Sequence, residues 1–79
     1  MARRARSLEA AFGDALREFR ARAGLSQEAL GLRSDLHPTY ISQLERGLKS
    51  PSLRAIHALA ATLGVHAHAI VKRAEDLMG

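Results

Sequence analysis

Between Pro38 and Gly47 the chain carries Thr39, Tyr40, Ser42 and Gln43 in a stretch that otherwise reads as a short helix. These four side chains bear hydroxyl or amide groups that donate and accept hydrogen bonds, and none is chosen for helix stability. A helix surface that only has to be soluble is better filled with Glu, Lys or Ala. The chemistry on offer is therefore recognition of another polar surface. Catalysis needs a nucleophile beside a base, paired carboxylates or a glycine-rich phosphate loop, and the chain has none of these patterns. The expectation is a protein that is not an enzyme and takes no cofactor.

Histidine is the other residue type that could do chemistry. His57, His66 and His68 lack the Cys or carboxylate company that a metal site needs, and the chain has no Cys at all. His66 and His68 are two residues apart, which on a helix directs them to different faces. The expectation is no metal, with His66 serving as the cap of a final helix.

Five helices are needed to position these groups. The first is expected from about Leu8 to Ala23, with Phe12, Ala15, Leu16, Phe19 and Ala23 on one face and Gly24 as its stop. Ser26 caps a second helix, Gln27 to Arg33, in which Gly31 sits mid-helix at a local cost that points to a close approach there. The third, about 38–46, has Pro38 in the first turn and Gly47 at the left-handed stop. A fourth starts near Ser52, with Leu53, Ile56, Ala60 and Leu63 at helical spacing and Gly64 at its end. A fifth runs from about Ala67 to Met78, its apolar side formed by Ala67, Ile70, Val71, Ala74, Leu77 and Met78. Short connections make the expected architecture all-α, a compact five-helix bundle. Only Ser34, Asp35, Leu36 and His37 separate the second and third helices, a turn that joins them in a helix-turn-helix.

The bulk properties agree. A length of 79 residues suits one domain, read as 8–79, and an apolar fraction of 47% with only 4% aromatics favours close-packed helices over strands. The net charge is +4, and Arg3, Arg4 and Arg6 supply much of it from residues 1–7, read as a basic, flexible arm. A basic arm on a nearly neutral domain suits an anionic polymer. No apolar run is long enough for a bilayer, and the arm leads into Leu8-Glu9-Ala10-Ala11, unlike a signal-peptide core; no membrane association is expected, and the expected location is the cytoplasm.

The segment GLSQEALGLRSDLHPTYISQLERGLKSPSL resembles the Cro/C1-type helix-turn-helix of the XRE family of regulators. The resemblance covers about residues 12–71 and rests on Leu25-Ser26-Gln27-Glu28, Gly31, the pair Ile41 and Leu44, Glu45-Arg46-Gly47 and Pro51-Ser52-Leu53 in this order and spacing. Within the family, LHPTYISQLERG is similar to controller proteins of restriction–modification systems.

The resemblance implies a lambda-repressor-like DNA-binding domain whose third helix enters the major groove of double-stranded DNA, with Thr39, Ser42 and Gln43 facing the bases. Gln can pair bidentately with adenine and Thr can meet a thymine methyl. It also implies a phosphate contact by Gln27 at the start of the second helix. His37, Tyr40, Arg46, Lys49 and Ser50 are further phosphate candidates, and Arg3, Arg4 and Arg6 would add phosphate or minor-groove contacts. Arg20 and Glu45 stand where similar repressors have a partly buried ion pair. Asp35 stands where the family usually has a left-handed Gly, a conformation that Asp tolerates.

The fifth helix is expected to pack first on Leu53, Ile56 and Leu59 or Leu63 of the fourth. Its stripe is wide for that partner, so Ile70, Val71, Leu77 and Met78 are expected to be shared with a twofold homodimer interface. The expected function is a DNA-binding transcription regulator that acts as a homodimer on a near-palindromic operator and regulates its own expression by occupancy. Contact with RNA polymerase is open to it through Glu45, Arg46 or the second helix. The alternative is an antitoxin or adaptor that uses the same fold to hold a protein, for which exposed Leu32 and Leu48 would be the signature.

Overall fold

The computed structural model describes residues 7–79. Arg3, Arg4 and Arg6 therefore lie outside the described residues. The chain forms α1 (Leu8–Arg22), α2 (Gln27–Ser34), α3 (Pro38–Glu45), α4 (Leu53–Leu63) and α5 (Ala67–Met78), with no strand among the described residues. No helix among them is long and apolar enough to cross a membrane.

Local chemistry sets the helix starts. Ser7, Ser26 and Ser52 each accept a hydrogen bond at 3.0 Å from the backbone N–H three residues on, which satisfies a donor that no helix can satisfy internally. Ser7 is thus the N-cap of α1. His66 precedes α5 without making a side-chain cap. Its ring instead stacks on His68, with centroids 5.1 Å apart and planes within 8°. Its extended backbone explains why the helical spacing rule failed for this pair.

Leu16, Leu30, Ile41, Leu44, Leu59 and Ile70 are the largest fully buried side chains, and between them they draw on all five helices. The helix-turn-helix closes through a three-residue link. Asp35 caps α2 in the left-handed region at φ 60°, and Leu36 donates its N–H to the Gly31 carbonyl at 2.8 Å. A Cβ on Gly31 would sit 2.5 Å from the Leu36 carbonyl oxygen, so a side chain there is excluded by backbone. Gly13 does the same for α1 against α3: a Cβ would lie 2.6 Å from the Glu45 carbonyl oxygen.

Two packing expectations need correction. α5 lies mainly along α1, with fewer contacts to α4. Ala11 and Ala15 are fully buried on α1 and leave room for Ile70 and Ala74, and Arg73 forks onto Glu18 at 2.8 and 3.2 Å across the same seam. Leu53, assigned to the inner face of α4, is 83% exposed. It is the first residue of the helix.

Candidate nucleic-acid interface

α3 divides cleanly into two faces. Ile41, Leu44 and Glu45 are buried, whereas Thr39 and Arg46 are exposed and Ser42 and Gln43 half-buried. Thr39, Ser42 and Gln43 follow one another at helical spacing, so the three share the outer face. Tyr40 is half-buried and packs against the core, which fixes its ring.

The start of this helix is fixed by His37 and Pro38. His37 Nδ1 accepts the Thr39 N–H at 3.1 Å, which leaves Nε2 for another partner. Pro38 takes the first turn, where its missing N–H costs nothing. At the other end Arg46 is exposed and its Nε reaches the Ser42 carbonyl at 3.4 Å. Lys49 and Ser50 lie exposed on the connection to α4.

Behind this surface lies one buried carboxylate. Glu45, 2% exposed, accepts from Arg20 Nε at 2.5 Å and from Arg20 Nη2 at 2.9 Å. Arg20 Nη1 also donates to the Leu25 carbonyl at 2.9 Å. Gln27 Nε2 donates to Glu45 Oε1 at 3.0 Å, and Arg17 Nη2 donates to the Glu45 backbone carbonyl at 3.3 Å. Burial by itself pushes the Glu45 carboxyl up. The hydrogen bonds from Arg20 and Gln27, with the charges of Arg20 and Arg17, outweigh it and hold the carboxyl below its ordinary range. The hydrogen bond to Glu45 raises Arg20 in turn, against the opposite effect of burial. The result is a clasp that joins α1, the α1–α2 loop and α2 to the end of α3.

The sequence reading missed two members of this clasp. The resemblance implies a phosphate contact for Gln27, yet its side-chain amide is already engaged by Glu45, with one N–H and the carbonyl oxygen left over. Arg17 was given no role. Its place three residues before Arg20, on the same side of α1, was the signal available.

The outer face of α5 also differs from expectation. Ile70 is fully buried within the chain and so is a core residue, unavailable to a second subunit. Leu77 is half-buried, and Val71 and Met78 are 37% and 42% exposed. Leu8 and Leu53 add apolar surface that the α5 stripe did not predict, and Leu8, Phe12, Pro51, Ile56 and Val71 line a shallow groove between the start of α1, the α3–α4 connection, α4 and α5. Among the described residues no cluster of His, Asp and Glu could hold a metal ion.

Residues 11–70 match a family described as a helix-turn-helix domain. The control protein C.BamHI of Bacillus amyloliquefaciens is 44% identical over 55 residues, which span 68% of this chain and 68% of that protein. Among solved structures, the restriction–modification controller protein C.AhdI from Aeromonas hydrophila is similar at 39% identity and a TM-score of 0.77, over 78% of this chain and 94% of that one. The clp gene regulator ClgR from Corynebacterium glutamicum is similar at 35% identity and a TM-score of 0.87, over 91% of this chain and 77% of that one.

Proposed function

The chain belongs to the helix-turn-helix family of DNA-binding transcription regulators that includes controller proteins, and from that premise we propose that it binds double-stranded DNA as a homodimer and reads a near-palindromic operator. The observation that carries this reading is the outer face of α3, where Thr39, Ser42 and Gln43 are presented by a helix whose far end is clasped through Glu45. A reading helix must hold its hydrogen-bonding groups in fixed register, and a clasp of this kind supplies the rigidity. Gln43 addresses adenine, Thr39 a thymine methyl, and Ser42 either base of a pair.

His37, Tyr40, Arg46, Lys49 and Ser50 set the register through backbone phosphates, together with the remaining N–H of Gln27. These contacts orient the protein without reading sequence. The arm bearing Arg3, Arg4 and Arg6 adds charge to the same task.

The second subunit docks on Val71, Met78 and the exposed part of Leu77, extended by Leu8 and Leu53. Such a twofold pairing sets two α3 helices into successive major grooves about 34 Å apart. Because dimerisation and DNA binding are coupled by mass action, occupancy rises steeply with protein concentration, which suits a regulator of its own gene. Selection of bound sequences from a random duplex pool tests the proposal. A near-palindrome with half-sites one helical turn apart is the expected product. An unenriched pool would refute it and favour a protein-holding role, for which Leu32 and Leu48, 83% and 62% exposed, are the available anchors.

A further inference from the structure

More positive charge surrounds Glu45 than its carboxylate can offset. Arg20 occupies both oxygens with a bidentate fork, and Gln27 takes another position on Oε1. Arg17 Nε stands 3.7 Å from that same oxygen, with 53% of its side chain open to solvent against none of the Glu45 side chain. Among the described residues no other carboxylate pairs with Arg17. One buried carboxylate therefore faces two guanidinium groups, and the exposed one retains a net positive charge.

That charge is also aimed. Arg17 Nη2 donates to the backbone carbonyl of Glu45, the last residue of α3, and this contact restrains the guanidinium at the end of the recognition helix. A guanidinium has five N–H donors in a planar fork, so most of them remain for a second partner. Arg46 follows Glu45 in the chain and Gln27 touches its carboxylate, so two of the proposed phosphate contacts lie at this same end of α3.

We propose that Arg17 is a positioning residue for DNA, its guanidinium binding a backbone phosphate that flanks the bases read by α3. The inference rests on the DNA-reading function proposed above. Guanidinium and phosphate match in geometry as well as charge, and such a contact fixes the seat of the helix while remaining indifferent to sequence.

The salt dependence of binding distinguishes this role from a structural one. Affinity for the selected operator and for a random duplex is measured by anisotropy at several salt concentrations, with wild type, Arg17→Gln and Arg17→Lys, alongside thermal melting. Arg17→Gln is expected to flatten the slope of log affinity against log salt by about 0.9 per bound subunit, equally on both duplexes. Arg17→Lys is expected to restore the slope, and both variants to melt near wild type. An unchanged slope in Arg17→Gln overturns the proposal, and so does a loss confined to the operator. A lowered melting temperature with the slope intact reduces Arg17 to a cap for α3 and also overturns it. Failure of the wild type to prefer the operator refutes the parent function separately, and the slope on random duplex then still decides the role of Arg17.

Discussion

Arg20 and Glu45 meet through two hydrogen bonds from one guanidinium to both oxygens of one carboxylate, across 25 residues of sequence. The Glu45 side chain has no solvent exposure and that of Arg20 only 18%, so neither charge is well hydrated once its partner is gone. Arg20→Ala is expected to destabilise the fold by about 3–5 kcal/mol, because it strands a buried carboxylate. Urea denaturation checks this, and the double variant Arg20→Met with Glu45→Leu should recover much of the loss. An Arg20→Ala protein that unfolds at the wild-type midpoint would remove the pair from the account of stability.

The same pair gives a pH dependence of definite sign. Its folded carboxyl lies below the ordinary value despite burial, so the unfolded chain binds the proton more readily. Its stabilisation is complete above the unfolded value, about 4.3 for Glu, and is lost as pH falls through the lower folded value. Unfolding midpoints measured from pH 6 downward should fall in acid. Glu45→Gln should lower stability at neutral pH and flatten that acid limb, whereas an acid limb unchanged in this variant would assign the dependence to other carboxylates.

Gly31 tests the turn. Adding a methyl group by Gly31→Ala forces a Cβ against the Leu36 carbonyl and toward Pro38. Because backbone cannot yield as a flexible side chain does, a loss of about 1–3 kcal/mol is expected despite the better helix propensity of Ala. Thermal melting reads the outcome, and a gain in stability would show that α2 and α3 can separate at the turn.

How much of this was legible beforehand depends on whether the cause is local. Ser26, Ser52, Gly47 and Gly64 mark helix ends through capping chemistry that acts within a few residues, and α5, whose His66 makes no side-chain cap, was legible from its apolar stripe. The left-handed turn at Asp35 came instead from family resemblance, and the local sterics of Asp say only that it tolerates that conformation. Packing partners were not: the stripe of Ile70 and Ala74 suits α1 or α4 equally, and only the small Ala11 and Ala15 decide for α1. Leu53 was misplaced because periodicity does not distinguish the first turn of a helix from its middle. The pairing of Arg20 with Glu45 came from family resemblance. Its extension to Arg17 and Gln27 depends on four segments converging in space, which spacing along the chain cannot express.

The exposed apolar face tests the dimer. Leu53 and Val71 both face solvent in the single chain, so Leu53→Asp with Val71→Asp should leave the fold intact by circular dichroism and thermal melting. Sedimentation velocity is expected to show dimer in the wild type and monomer in the variant. A variant that remains dimeric would place the twofold contact elsewhere.

The reading of DNA by α3 is tested most directly by one ratio, the affinity for the selected operator over that for a scrambled duplex at fixed salt. The ratio is expected to be about 10³ or more in the wild type and to fall in Gln43→Ala through a loss on the operator alone. A wild-type ratio near one, or a Gln43→Ala protein that weakens on both duplexes equally, would contradict sequence reading by this helix.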